Sequence, residues 1–356
     1  MKTRLLRPLI YMVGLPFTFL WENIYRIRRF AYKYGFLKQN NFRVPIISIG
    51  NLTFGGTGKT PFTLWVSEYL ETLDKTVMIL MRGYKGKLES SSGIIRSKAK
   101  IRGNPVDYGD EALILSRRLE KTSIVVGKNR SENLDFYFKD EEPDVVLLDD
   151  GHQHLKLHRN INILLFDSLL PINRYKVAPL GYMRESFSAI KDADLIVLGR
   201  SDQVSEKRRL KLKKFLHEKS KGTIPFAEIG YKPTGIMDCS FNKVMDVEGL
   251  KEKRVICVSG IASPLSFYSL VDSLGADIIH RESFPDHHYF KPEEISRLLD
   301  LAEKEDALIL TTEKDIVKIR RVSDNERIVY LEIKVNFFSG EDKAKEIISR
   351  AFINSI

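Results

Sequence analysis

The sequence that decides the fold is residues 46–60, IISIGNLTFGGTGKT. A short apolar run comes first, a glycine-rich segment follows, and a helical pattern begins at Thr60. This order is typical of a P-loop, in which backbone N–H groups and the positive end of a helix dipole converge on phosphate oxygens. Thr53 stands where the common pattern has glycine. The predicted loop consists of Gly55, Gly56, Thr57, Gly58, Lys59 and Thr60.

Two side chains of this loop are suited to phosphate chemistry. Lys59 is expected to reach the β- and γ-phosphates, and the Thr60 hydroxyl is expected to ligate Mg²⁺. The loop therefore predicts that the chain binds a nucleoside triphosphate, and transfer of the terminal phosphate is the favoured activity.

Outward from the loop, short apolar runs alternate with helical patterns. The predicted strands are 44–49, 77–81, 123–126, 145–148, 161–166 and 195–198, and the predicted helices are 60–73, 110–120 and 200–222. This alternation predicts an α/β fold with a P-loop NTPase-like, mostly parallel sheet flanked by helices. A second alternation near the C-terminus predicts a smaller α/β domain that contributes to the active-site cleft.

The domain organisation follows from these patterns. We predict an N-terminal segment at 1–35, a P-loop kinase domain at 36–228, a connection at 229–250 and a C-terminal domain at 251–356. Residues 83–104, rich in Gly, Ser and Lys, break the alternation. They predict a mobile hairpin or lid, and a disordered surface loop is the alternative.

Composition limits the class of protein. The net charge of +10 suits an anionic partner, which by charge alone could be nucleic acid, an acidic membrane surface or a phosphorylated substrate. The two cysteines, Cys239 and Cys257, exclude a disulfide framework. The sequence has no zinc-finger spacing and no arginine-rich tail, so no nucleic-acid partner is predicted, and no obligate protein partner is evident.

The N-terminus carries an uncharged run at residues 8–21, shorter than the ~20 residues that span a bilayer and interrupted by Pro16. Its apolar stripe comprises Leu9, Met12, Val13, Phe17, Leu20, Trp21 and Ile24. The flanking basic residues are Lys2, Arg4, Arg7, Arg26, Arg28, Arg29 and Lys33. We predict a helix in the membrane interface whose basic residues meet anionic headgroups. The alternative is a helix docked on its own domain.

Acidic residues end a second apolar run. Residues 143–151 read PDVVLLDDG, the arrangement of a Walker B strand whose carboxylate holds Mg²⁺ beside the P-loop. Asp149 and Asp150 cannot be separated by this pattern. His152, His154 and His158 follow; we interpret them as polar residues lining the nucleotide cleft. The alternative is a transition-metal site of a P-loop NTPase switch or metallochaperone.

Two further segments carry candidate acids and bases. Asp110 and Glu111 open a predicted helix, where they either cap it or project toward the P-loop edge. His287 lies beside Asp286 in a proline-containing loop, where a histidine is suited to proton transfer. The alternative is a surface turn without a catalytic role.

Taken in this order, the motifs resemble the tetraacyldisaccharide 4'-kinase family, the lipid A 4'-kinases of Gram-negative bacteria. The matching stretches are 44–61, 82–84, 109–111, 148–154, 157–159, 183–185, 284–287 and 311–315. They span nearly the whole chain, and the blocks at 149–154 and 284–287 are far more specific than the P-loop.

The resemblance implies a kinase that uses ATP and Mg²⁺ to phosphorylate the 4'-hydroxyl of an acylated glucosamine disaccharide phosphate. It implies peripheral attachment to the cytoplasmic face of the bacterial inner membrane through the N-terminal helix. It implies that Asp110 and His287 form the catalytic acid–base pair, and catalytic roles fall to Asp149 and Lys59 as well. Mg²⁺ roles fall to Thr60, Asp149, Asp150 and Glu111, nucleotide contacts to Gln153 and His154, and acceptor contacts to Arg184, Glu185 and Asn51.

The resemblance also leads to a conformational expectation. Because His287 lies in the second predicted domain, the catalytic set would be complete only when the domains close, which would also exclude water. A non-catalytic alternative is a membrane-docked nucleotide sensor.

Overall fold

The computed structural model describes residues 2–97 and 103–353, without the side chains of residues 2–11 and 13. In chain order the α-helices are α1 (Lys2–Lys33), α2 (Lys59–Thr72), α3 (Pro105–Tyr108), α4 (Asp110–Arg118), α5 (Arg130–Glu141), α6 (Glu206–Lys219), α7 (Pro264–Ser273), α8 (Pro292–Lys304), α9 (Glu313–Ile319) and α10 (Glu341–Ile353). The strands are β1 (Ile46–Asn51), β2 (Val77–Met81), β3 (Gly93–Arg96), β4 (Thr122–Val126), β5 (Val145–Asp149), β6 (Ile161–Asp167), β7 (Leu195–Gly199), β8 (Phe226–Asp238), β9 (Lys243–Met245), β10 (Arg254–Ser259), β11 (Asp277–Ser283), β12 (Leu308–Thr312) and β13 (Ile328–Ser339).

The chain forms two compact units. The first unit comprises Met1–Met81, Asn129–Gly230 and Phe337–Ile356, and the second comprises Arg82–Lys128 and Tyr231–Asn336.

A parallel sheet of order β8–β7–β6–β1–β5–β2 forms the centre of the first unit. Every residue of β1, β2, β5 and β7 is buried, since helices cover both faces of such sheets. β1 lies between β5 and β6. It ends at Asn51, and the glycine-rich loop follows. The predicted fold class is confirmed.

The second unit contains the parallel strands β11–β10–β12–β13. It also contains the antiparallel pairs β3–β4 and β8–β9. Val255, Cys257, Phe267, Val271 and Leu310 belong to its core.

The domain boundaries differ from the predicted ones. Residues 82–128 belong to the second unit rather than to the P-loop domain, because α4 packs against α9. Residues 337–356 return to the first unit. The predicted connection at 229–250 contains the end of β8 and the whole of β9. The alternation of apolar runs and helical patterns along the sequence does not show which distant helix a segment packs against.

The segment predicted as a lid contains regular structure. Within residues 83–104, a 3₁₀ turn at Lys87–Ser90 precedes β3, which pairs with β4. The Lys128 N–H donates to the Glu89 carbonyl at 3.0 Å, which holds the turn against the strand end. Residues 98–102 lie outside the described residues, and movement of this segment stays a prediction.

Helix α1 presents two different sides. Its exposed large apolar side chains are Met12, Leu15, Phe17, Phe19, Leu20, Trp21, Ile24, Ile27 and Phe30. Among the described residues, no helix is sufficiently long and apolar to cross a membrane. Leu9 and Val13 of the predicted stripe lie outside the described side chains.

The other side of α1 binds the first unit. Arg28 donates to the Gln153 carbonyl at 3.1 Å, and Arg29 is bound by Glu185 and Asp192. These contacts hold one side of α1 against the first unit, as in the docked alternative, and an apolar side is exposed. Contact of the basic residues with headgroups stays a prediction.

Candidate active site

The glycine-rich loop has the backbone of a phosphate-binding loop. Gly55 and Gly58 have φ angles of 95° and 82°, a region that disfavours side chains, and Gly58 precedes α2 directly. An added Cβ at Gly55 would meet no atom within 4 Å, so the loop is open there. The Asn51 amide donates to Thr57 Oγ1 at 3.0 Å, and Arg200 Nη2 donates to the Gly56 carbonyl at 2.8 Å. These contacts hold the loop in this conformation, and a glycine-rich loop that ends at a helix N-terminus fits a triphosphate.

The paired aspartates at the end of β5 face different partners. Thr63 Oγ1 donates to Asp149 Oδ1 at 3.1 Å, and Asp149 is buried. Asp150 adopts a φ of 52° that turns its side chain toward Lys59 Nζ, 3.4 Å from Oδ1, and Arg184 Nη1, 2.7 Å from Oδ2. Asp150 Oδ1 is buried and accepts no hydrogen bond from the described residues. An acceptor oxygen beside the P-loop lysine fits Mg²⁺ on a bound triphosphate.

Electrostatics keep Asp150 ionised. Burial alone would raise the pKa of Asp150, but the positive charges of Lys59, Arg184 and Arg130 outweigh burial and hold it well below its usual range. The charges of Lys59 and Asp150 thus offset each other.

The histidines after β5 do not form a metal site. His152 is fully buried, and a Cβ on Gly50 would lie 2.7 Å from the His152 Cβ, so the chain at His152 passes through space that only glycine leaves open. Burial lowers the pKa of His154 to about 3, aided by the charges of Arg130 and Arg159. No group of three or more His, Cys, Asp or Glu within the described residues could hold a metal ion. The metal-site alternative with His152, His154 and His158 is therefore wrong.

The residues predicted to contact the acceptor have protein partners. Glu185 is buried and binds Arg29, so its carboxylate ties α1 to the unit. Trp21 Nε1 of α1 donates to the Arg184 carbonyl at 2.8 Å. Gln153, predicted to contact nucleotide, donates its amide to the Asn51 carbonyl at 3.0 Å. These three predicted site residues therefore connect α1 to the P-loop and the end of β5.

Asp110 and His287 meet within the second unit. His287 Nδ1 lies 3.2 Å from Asp110 Oδ1 and 3.1 Å from Oδ2. Burial alone would raise the pKa of Asp110, but the hydrogen bond with His287 and the charges of Lys314 and Lys318 lower it to about 2. Both residues therefore belong to one unit, although the sequence placed Asp110 in the P-loop domain and His287 in the C-terminal one, and completion of the catalytic set by domain closure stays a prediction.

Lys314 contacts the other ring nitrogen of His287. Its Nζ lies 3.1 Å from His287 Nε2 and 3.1 Å from Asp286 Oδ1. Since an ammonium group only donates, Nε2 accepts, and the proton on Nδ1 is the one shared with Asp110. Burial alone would lower the pKa of Lys314, but Glu111, Asp110 and Asp286 raise it. Glu111 lies 3.7 Å from Lys314, whereas the other predicted Mg²⁺ ligands lie in the first unit.

Sequence reasoning missed several neighbours of this pair. Tyr84 packs edge-on against His287 at 5.3 Å between ring centroids, and Lys318 Nζ lies 3.5 Å from Asp110 Oδ2. The stretches 82–84 and 311–315 could have pointed to these neighbours, because both contribute to the family resemblance. The resemblance gave their residues no roles. Lys318 lies just beyond the second stretch.

The sequence matches a known protein family along most of its length. The family model for LpxK, Tetraacyldisaccharide-1-P 4'-kinase, matches residues 10–353. The chain belongs to this family. It is 32% identical over 334 residues to a tetraacyldisaccharide 4'-kinase of Geobacter metallireducens, with 94% of each protein covered. It is 32% identical to that of Aquifex aeolicus, with 95% of this chain and 98% of the relative covered.

A solved member of the family has the same fold. The chain is similar to a crystal structure of an "apo" form of LpxK from Aquifex aeolicus in complex with ATP, with a TM-score of 0.75 and 31% identity. The match covers 95% of this chain and 98% of the other. The resemblance drawn from the motifs is confirmed.

Proposed function

We propose that this LpxK-family chain transfers the terminal phosphoryl group of ATP to the 4'-hydroxyl of a tetraacylated glucosamine disaccharide 1-phosphate, a lipid A precursor. Membership of the family supports the class of reaction. The observation that carries the mechanism is the contact between Asp110 and His287, at 3.1 Å from Oδ2 to Nδ1.

The first unit holds the nucleotide in this proposal. Backbone N–H groups of residues 55–60 and the Lys59 ammonium group would bind the phosphates. Thr60, Asp149 and Asp150 hold Mg²⁺. ATP supplies the phosphoryl group, and Mg²⁺ offsets the negative charge on its phosphates.

Asp110 accepts the proton of the attacking hydroxyl. Its low pKa keeps it ionised at neutral pH, so it is ready to orient that hydroxyl. A weak base is sufficient because the transition state of phosphoryl transfer is loose and needs little negative charge on the attacking oxygen. The Nδ1–H group of His287 holds the Asp110 carboxylate in place and offsets its burial.

We also propose that α1 lies in the interface of an anionic membrane at the cytoplasmic face of the inner membrane. Exposed Phe17, Phe19, Leu20 and Ile24 supply the apolar side. Arg28 and Arg29 hold the opposite side of the helix on the first unit. The acceptor is itself a lipid, so an enzyme at this interface meets its substrate where the substrate resides.

The test is phosphorylation of the disaccharide lipid by purified protein with ATP and Mg²⁺ in detergent micelles. Asp110→Asn is expected to lower kcat by about 10²- to 10⁴-fold while ATP affinity stays unchanged. Asp300→Asn, which removes an exposed carboxylate from α8, is the matched control and keeps wild-type turnover. Near-normal rates for both Asp110→Asn and His287→Ala would show that the mechanism is wrong. Tight ATP binding without any lipid product would favour the nucleotide sensor.

A further inference from the structure

A buried lysine lies behind the Asp110–His287 pair. Lys318 is 4% exposed on α9, and its Nζ lies 2.9 Å from Asp315 Oδ1 and 3.5 Å from Asp110 Oδ2. A buried ammonium group strongly destabilises a protein unless charged partners surround it. Lys318 therefore has a defined position set by two carboxylates, one of which is the proposed base.

Asp315 reaches the histidine as well. Its fully buried carboxylate accepts from the Gly260 N–H at 2.9 Å, and the Gly260 carbonyl accepts from the His287 N–H at 3.2 Å. His287 has a φ of 63°, an unfavourable conformation for a residue with a side chain, so its backbone needs such support. One carboxylate is thus connected to Asp110 through Lys318 and to His287 through Gly260.

The geometry of α9 places these groups on one side. Asp315 and Lys318 are three residues apart, a spacing that makes side chains neighbours on a helix. We propose that Lys318 is a positioning residue: held by Asp315, its ammonium group fixes the Asp110 carboxylate in the orientation in which it meets His287. This inference rests on the proposed function, because it gives Lys318 a role through Asp110.

The consequence for catalysis is specific. Without Lys318, one contact that restricts rotation of the Asp110 carboxylate is lost, while the P-loop residues keep their contacts in the other unit. A misplacement of about 1 Å in a catalytic group lowers the rate by about 10²-fold. The expected signature is a lower kcat with unchanged ATP affinity.

Lys318→Met tests this inference in the full chain. We expect kcat with the disaccharide lipid to fall about 10²-fold and the Kd for ATP to stay at the wild-type value. Lys318→Arg keeps the charge and is expected to restore part of kcat. Because Lys318→Met leaves the Asp315 carboxylate buried without its ammonium partner, the second variant is Asp315→Asn/Lys318→Met. It removes both charges and retains an oxygen to accept from Gly260.

Glu313→Gln is the matched control on the same helix. Glu313 is buried and binds Arg117 and Arg118 rather than the Asp110–His287 pair. Glu313→Gln is expected to lower the Tm yet keep kcat near wild type below that temperature. If Lys318→Met and the double variant both show kcat within about threefold of Glu313→Gln, the positioning role is overturned.

The variant Asp110→Asn/Lys318→Met separates this inference from the proposed function. If Lys318 acts through Asp110, adding Lys318→Met to Asp110→Asn lowers kcat no further. A further fall comparable to that of Lys318→Met alone shows an independent role and overturns the inference. Wild-type kcat for Asp110→Asn overturns the catalytic role of Asp110 and the positioning role with it. A low kcat for Asp110→Asn beside a normal one for Lys318→Met overturns the positioning role alone.

Discussion

Arg29 of α1 donates two hydrogen bonds to the buried Glu185 carboxylate, at 2.6 Å from Nε to Oε2 and 3.2 Å from Nη2 to Oε1. Glu185 follows Arg184, whose guanidinium binds Asp150 at 2.7 Å beside Lys59. The helix with the exposed apolar side is therefore also part of the structure that supports the P-loop.

Arg29→Gln is the first prediction. It leaves the Glu185 carboxylate buried without its cation, which costs about 3–5 kcal/mol in free energy of unfolding. We expect a lower Tm by calorimetry and a raised KM for ATP. The control is Arg26→Gln, because Arg26 lies on the same helix but is exposed and paired with Glu22. It should change the Tm and the KM for ATP only slightly. Equal effects of the two variants would contradict the structural role of Arg29.

The second prediction separates the two sides of α1 by truncation. Removing residues 2–20 deletes much of the exposed apolar side yet keeps Trp21, Arg28 and Arg29. We expect binding to anionic vesicles to fall while ATP affinity is retained. Removing residues 2–33 is expected to lower the Tm as well. Vesicle flotation measures membrane binding, and nucleotide titration measures ATP affinity. Loss of ATP affinity on removal of residues 2–20 would contradict the division of α1 into an exposed side and a docked side.

The third prediction concerns acid stability. The pKa of Asp110 falls from 3.8 to about 2 in the folded protein, where burial is outweighed by His287, Lys314 and Lys318. The unfolded chain binds the proton more readily, so stability is lost as the pH falls. The contribution, about 2 kcal/mol, is fully present above pH 3.8 and disappears as the pH falls through about 2. Urea unfolding between about pH 2 and pH 5 measures it.

Asp110→Asn removes this carboxylate and should give a shallower loss of stability across the same pH range. Asp300→Asn keeps Asp110 and should follow the wild-type curve. Parallel curves for wild type and Asp110→Asn would show that Asp110 does not contribute as stated.

The fourth prediction concerns Gly50 on β1. A methyl group there would lie 2.7 Å from the His152 Cβ and 2.8 Å from the His152 backbone nitrogen. Gly50→Ala is therefore expected to lower the free energy of unfolding by about 1–3 kcal/mol. Gly235→Ala, where the nearest atom is the flexible end of Lys243, is the control and should cost less. Chemical denaturation measures both, and a neutral Gly50→Ala would contradict the close packing.

Much of the framework could be predicted from local sequence. The helix predicted at 60–73 runs from Lys59 to Thr72, and the strand predicted at 77–81 has those bounds. Strands buried on both faces leave continuous apolar runs, amphipathic helices leave periodic apolar patterns, and both can be seen in the local sequence. Helix α5 was missed because its sequence, RSENLDFYFKDE, has no clear apolar stripe. Helix α9 was missed because it has only seven residues.

The sequence by itself determined the P-loop, the acidic end of β5 and the family, because these depend on residue types at fixed local spacings. Only the tertiary structure decided which distant residues meet. It gave the contact within the Asp110–His287 pair, which the resemblance implied although 177 positions separate the two residues, and it put Lys318 behind them. It also bound Arg28 and Arg29 to the first unit. Such pairings follow from packing of helices and strands that are remote in sequence, and local periodicity contains no information about that packing.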